Sequence, residues 1–262
     1  MKTTRGKVDM FPTAAALARA AAELFVCSAA AAIRARGRFV VALSGGSTPR
    51  SLYALLAKRT YATRVDWSRV HVFWGDERCV PPTSPMSNYR MARQALLDHV
   101  PVPGKNVHRI RGEEEPAAAA AAYERELRDM FGIPEGASPP RLTFDLILLG
   151  LGADGHTASL FPELAAVREA KQWVAAEYVP KAHMWRVTLT PIAINAAAKV
   201  VFLVSGREKS AILRRVLHGP SQPCMLPAQV IAPPRGQLRW LVDAAAAKLG
   251  ESEDKEPARQ GR

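Results

Sequence analysis

Nearly unbroken apolar runs of strand length alternate with longer amphipathic or Ala-rich stretches along most of this chain. The runs at 39–43, 70–74 and 144–149 read as buried strands. Between and around them, helical spacing predicts helices over about 13–36, 49–58, 87–99 and 113–131. Gly37 closes the first of these. Further strands are predicted at 173–178, 185–189, 200–204 and 238–242, with short helices over 191–198, up to His218 and after the last strand. Pro-rich segments at 79–85, 101–104 and 134–140 mark loops. Residues 1–10 are expected as a loosely held lead-in, 11–249 as a single α/β domain, and 250–262 as a disordered tail. The alternation predicts an α/β fold: an open, largely parallel sheet with helices on both faces.

Three of the strands end the same way. Strand 39–43 runs into Ser44-Gly45-Gly46-Ser47-Thr48-Pro49-Arg50. Ser47 or Thr48 is expected to cap the helix that follows, with Pro49 in its first turn. Backbone N–H groups of Gly45, Gly46, Ser47 and Thr48, with a helix N-terminus behind them, suit an anion such as phosphate. The turn is neither a Walker loop nor a dinucleotide fingerprint. Strand 70–74 ends in Gly75-Asp76-Glu77-Arg78, and strand 144–149 in Gly150-Leu151-Gly152-Ala153-Asp154-Gly155-His156. In a parallel sheet these carboxyl ends lie on one side, where open α/β folds bind ligands. His156 is the group best suited to exchange a proton near neutral pH. Asp154, two residues away, has three readings: a partner for His156, a ligand for substrate hydroxyls, or a brace for the turn. The plain alternatives are a tight turn with a solvated His, and a surface charge cluster at 76–78 that contributes little.

Composition narrows the choices. The chain has 262 residues, 48% hydrophobic content and a formal net charge of +12. That charge suits an anionic substrate and is also compatible with nucleic acid. It is not gathered into a run, and the tail from Lys248 holds four basic and four acidic residues. Three scattered cysteines without a C-x-x-C argue against a disulfide framework and a structural zinc site, and point to a reducing cytoplasm. Arg19 and Glu23 interrupt the small-residue run 14–32, so an amphipathic first helix is expected there, not a signal peptide or membrane span. No membrane or nucleic-acid partner is expected, and a monomer is the default.

The segments Leu43-Ser44-Gly45-Gly46-Ser47-Thr48-Pro49, Trp74-Gly75-Asp76-Glu77-Arg78 with Ser87-Asn88-Tyr89, and Leu149-Gly150-Leu151-Gly152-Ala153-Asp154-Gly155-His156-Thr157-Ala158-Ser159-Leu160-Phe161-Pro162 resemble the glucosamine-6-phosphate isomerase/6-phosphogluconolactonase family, on its lactonase side. The deaminases of that family share Asp-Gly-His but follow it with an Asn-containing tail, and carry an Asp-Glu-Tyr type motif in place of Asp76-Glu77-Arg78. The resemblance implies the fold shared with glucosamine-6-phosphate deaminase and ribose-5-phosphate isomerase. It also implies hydrolysis of a phosphorylated sugar lactone, with no cofactor and no metal.

Opening an activated ester needs one general base for water and donors for the oxyanion. His156 is the expected base, with Asp154 beside it. No H-E-x-x-H or G-x-S-x-G motif offers zinc or serine chemistry. Arg78 can grip a phosphate bidentately, and Lys209 also lies past a strand end; the resemblance makes both phosphate ligands. Arg50, Lys181 and Arg186 have open roles. Two other functions compete: glucosamine-6-phosphate deamination, and a sugar-phosphate-sensing regulatory domain. The regulator would need a helix-turn-helix, for which the residues before the first helix are expected to leave no room.

Overall fold

The computed structural model describes residues 2–3, 5–137 and 144–248. The expected tail and part of the 134–140 loop lie outside these residues. The strands are β1 (Lys2–Thr3), β2 (Gly6–Phe11), β3 (Phe39–Leu43), β4 (Val70–Trp74), β5 (Asp76–Arg78), β6 (Leu146–Leu149), β7 (Val174–Val179), β8 (Met184–Leu189), β9 (Lys199–Val204) and β10 (Gln237–Asp243). The α-helices are α1 (Ala14–Arg36), α2 (Ser47–Leu56), α3 (Arg59–Ala62), α4 (Asn88–Ala95), α5 (Pro116–Phe131), α6 (Pro191–Asn195), α7 (Ser210–His218) and α8 (Ala244–Ala247).

Seven strands form one sheet in the order β1-β2-β10-β9-β6-β3-β4. All its pairings are parallel except β1 with β2. Strands β3 and β6 are wholly buried, which is why they read as apolar runs without alternation. The chain leaves β3 toward β4 and leaves β6 toward β9. The connections therefore diverge between β3 and β6, and a crevice opens at their carboxyl ends.

Three expectations need correction. Residues 6–10 of the expected lead-in are part of a strand: Gly6–Phe11 pairs along β10, from Lys7 with Arg239 to Phe11 with Asp243. Its polar Lys7 and Asp9 hid it, because Asp9 is satisfied by Arg239 across the strands. The strands at 173–178 and 185–189 are real but leave the main sheet. They form a separate antiparallel sheet, β5-β8-β7, to which Asp76–Arg78 adds a third strand. Gly75 joins the two sheets: its N–H donates to Leu43 O at 2.8 Å and its carbonyl accepts from Leu189 N at 2.8 Å. Finally, helix 87–99 breaks at Leu96 into α4 and a 3-10 turn at Leu97–His99.

Helix α1 is long and apolar enough to cross a membrane by composition alone. Its apolar side accounts for that composition. Leu17, Ala21, Ala22 and Phe25 are buried, and the helix packs on α2, β3 and β10, while Arg19 and Glu23 face outward.

Candidate active site

The crevice is a cleft of about 490 Å³ lined by all three turns, and by residues of β8 and the turn after β9. It brings together Gly45, Gly46, Ser47, Thr48, Arg78, His156 and Lys209, as the sequence predicts. Asp154 stands just behind its wall, touching His156. Arg50 is exposed and does not line the cleft.

Helix α2 starts at Ser47, with Gly46 as its N-cap at φ 105°. That φ suits glycine and turns the chain sharply out of β3. Neither Ser47 nor Thr48 caps the helix; both lie in its first turn, contrary to expectation. Gly46 has no side-chain oxygen, so the first-turn N–H groups of Ser47 and Thr48 remain available to an anion in the cleft.

The β6 turn closes through Gly152 N–H to His156 O at 2.8 Å and Gly155 N–H to Gly152 O at 3.0 Å. Asp154 Oδ1 accepts from His156 N at 3.1 Å and sits 2.5 Å from His156 Nδ1. A carboxylate there fixes the proton on Nδ1 and leaves Nε2 as the basic atom. The His156 ring stacks on Phe161 at 4.2 Å between centroids. A Cβ on Gly152 would lie 1.9 Å from Nδ1, so only glycine leaves room for this ring. Burial is the main force on the imidazole, and it lowers the pKa from 6.5 to about 4. Asp76 opposes that shift, while Arg186, Lys209 and Arg78 add to it. His156 is therefore a free base at neutral pH. Lys181 forms an ion pair with the other oxygen of Asp154, and its ammonium lies 4.6 Å from the Phe161 ring centroid.

Cations also line the cleft. Arg78 and Arg186 face each other directly across the β5–β8 ladder. Like charges so placed repel. Their Nε atoms are both buried and have no hydrogen-bond acceptor among the described residues. Burial is also the main force lowering the Arg186 pKa; Asp76 opposes it, and Arg78 adds to it. Such a pair awaits an anion. Lys209 approaches from the 3-10 turn after β9 (Arg207–Lys209).

Sequence reasoning missed Asp76 and Asn88 as parts of the cleft and left Arg186 open. Asp76 accepts from Ser159 Oγ at 2.6 Å, and its carbonyl accepts from Asn88 Nδ2 at 2.9 Å. Beneath them, the buried Glu77 carboxylate accepts from the backbone N–H groups of Arg78, Asn88 and Tyr89 and from Ser87 Oγ, at 2.7–2.9 Å. It anchors the start of α4 to β5 and so places Asn88.

Residues 12–240 match the family model described as glucosamine-6-phosphate isomerases/6-phosphogluconolactonase. The chain belongs to this family. A 6-phosphogluconolactonase of a Nostoc species is 40% identical over 240 residues, 91% of this chain and 96% of that protein. The solved 6-phosphogluconolactonase from Trypanosoma cruzi superposes with a TM-score of 0.82 at 32% identity, over 94% of this chain and 97% of that one. A monomeric glucosamine-6-phosphate deaminase shares the fold, with a TM-score of 0.75 at 20% identity over 92% of this chain and 98% of that one. The family's fold is thus the one expected from the sequence.

Proposed function

We propose that the chain hydrolyses 6-phospho-D-glucono-1,5-lactone to 6-phosphogluconate, the lactone-opening step of the oxidative pentose phosphate pathway. The observation that carries this reading is one cleft holding a histidine braced by a carboxylate, together with a helix N-terminus and cations that have no carboxylate partner among the described residues. The phosphate lies on the Ser47 and Thr48 amides, with Arg78, Arg186 and Lys209 around it. Asp76 accepts a hydrogen bond from a sugar hydroxyl. Anchored at its far end, the lactone places C1 near His156.

Water attacks C1 while Nε2 takes its proton. The carbonyl π bond becomes the oxyanion of a tetrahedral intermediate. Collapse of that intermediate breaks the bond between C1 and the ring oxygen. The imidazolium, held by Asp154, returns its proton to the departing oxygen, and His156 is neutral again. The product acid then ionises. The substrate's own negative charge, bound among the cations, offsets part of the field that disfavours imidazolium.

The substrate is a free small molecule, and neither a nucleic acid nor a membrane takes part. The three cysteines are unpaired, which fits a reducing cytoplasm. The test is substrate choice. Fresh 6-phosphoglucono-δ-lactone should be opened well above its spontaneous rate, and glucosamine 6-phosphate should release no ammonia. Ammonia release without lactone opening would contradict the reading.

A further inference from the structure

The hairpin between β7 and β8 carries Arg186 to the cleft, and its tip carries a second cation, Lys181. The tip is a 3-10 turn, Pro180–Ala182, closed by His183 at φ 47° with its N–H on Pro180 O at 3.0 Å. Lys181 and Ala182 line the cleft mouth. The Lys181 ammonium is within reach of the Arg186 charge, which adds to burial in lowering its pKa, but its ion pair is with Asp154. It forms an ion pair with Asp154 on the oxygen that His156 does not use, and it lies over the ring of Phe161, on which His156 also stacks. Lysine, aspartate and imidazole thus form a line that ends at Nε2. Its three members come from two sheets, and the ion pair ties the small sheet's hairpin to the β6 turn.

We propose that Lys181 is a positioning residue: its ammonium holds one oxygen of Asp154 so that the other is aimed at Nδ1 of His156 and Nε2 is presented to the lactone. Two consequences follow from charge and geometry. Without Lys181, Asp154 is held only through Oδ1, by His156 N and Nδ1, and the imidazole is oriented less tightly. The full negative charge of Asp154 then also acts on His156 alone and favours imidazolium. The other groups that set this balance are Asp76 and Arg78 from β5, Arg186 from β8 and Lys209 from the turn after β9. They are unchanged by the substitution, so a shift reports the Lys181–Asp154 pair.

The kinetic arm of the test rests on the lactonase reading; the spectroscopic arm does not. In the first arm, kcat and KM of the parent, Lys181→Met and Lys181→Arg are measured against pH with 6-phosphoglucono-δ-lactone and with unphosphorylated glucono-δ-lactone. Lys181→Met should lose about tenfold in kcat on both substrates, the scale of one charged hydrogen bond. Its acid limb should move up by about half a unit or more, and Lys181→Arg should restore most of both. A loss confined to the phosphorylated lactone would make Lys181 a phosphate ligand and overturn the proposal, as would an unmoved acid limb. In the second arm, nitrogen NMR of the parent imidazole should show the proton on Nδ1 of His156, and Lys181→Met should raise the titration midpoint. A proton on Nε2, or an unchanged midpoint, overturns the proposal whether or not any lactone is opened. Should Lys181→Met not fold, the parent's tautomer and the Lys181→Arg profile decide. A parent that opens neither lactone refutes the activity, and the NMR arm still decides the role of Lys181.

Discussion

Replacing Gly152 with alanine tests the placement of the base without removing any group that ionises. Gly152 does not have a left-handed φ, so alanine is tolerated by the backbone. The cost is steric and local. The new methyl would lie 1.9 Å from Nδ1, 2.1 Å from Cε1 and 2.6 Å from Cγ of His156, where ordinary contact begins at 3.4 Å. The imidazole must retreat by about 1.5 Å, the gap between 3.4 and 1.9 Å. A shift of that size breaks the 2.5 Å contact with Asp154 and swings Nε2 off the attacking water. Misplacement by about 1 Å costs on the order of 100-fold in rate. We therefore expect Gly152→Ala to lower kcat by about 100-fold or more. KM should change little, because the phosphate is held by α2 and the β5–β8 cations. The assay is steady-state hydrolysis of 6-phosphoglucono-δ-lactone, corrected for spontaneous opening, beside a thermal melt. A folded Gly152→Ala protein with kcat within about threefold of the parent, where 1.4 kcal/mol is tenfold, would refute the placement of His156.

Three further outcomes follow from the same geometry. Arg186→Ala should cost roughly ten- to a hundredfold in kcat/KM on the phosphorylated lactone, from about 1.5–3 kcal/mol for a charged hydrogen bond. It should leave glucono-δ-lactone hydrolysis nearly unchanged, and equal losses on the two would remove Arg186 from the phosphate site. Glu77→Ala leaves four donors, two buried and two partly buried, facing a hole, so urea unfolding should show a loss of about 3 kcal/mol or more; a loss under about 1 kcal/mol would mean that water replaces the carboxylate. His71 and His156 both titrate near pH 4 when folded and near 6.5 when unfolded. Between these values the unfolded chain binds more protons, so stability falls as pH drops from 6.5 toward 4. His71→Asn should flatten that fall relative to the parent in thermal melts, and identical slopes would contradict it.

Much of the site was legible because three parallel strands deliver their polar residues directly past buried apolar runs. Ser44–Thr48, Arg78 and His156 each sit within a few residues of such a run, so local pattern placed them. Arg186 was not legible in this way. Its place depends on pairing with Arg78 in a three-residue strand, a contact between segments over a hundred residues apart that no local period encodes. Strand β2 escaped notice for a related reason. Its Lys7 and Asp9 look like lead-in residues until Arg239 of β10 is beside them. The Lys181–Asp154 pair was likewise invisible, since it joins a hairpin tip in one sheet to a turn from the other. Helix boundaries moved at α2 and α4, at α5, which begins at Pro116 instead of 113, and at α6, which ends at Asn195 instead of 198. In α2, Gly46 took the cap position expected of Ser47 or Thr48, and α4 ends where Leu96 leaves helical geometry.

The account rests on His156 as the base that opens a phosphorylated lactone. The most direct measurement compares kcat of the parent and His156→Ala on fresh 6-phosphoglucono-δ-lactone across pH 4–8, with fold checked by circular dichroism. Because His156 is neutral down to about pH 4, the parent should keep its activity at pH 6 and lose it only as pH falls toward that value. His156→Ala should be about 100- to 10,000-fold slower throughout, the range for a lost general base. A folded His156→Ala protein with near-parental kcat, or a parent no faster than the spontaneous reaction, would contradict it.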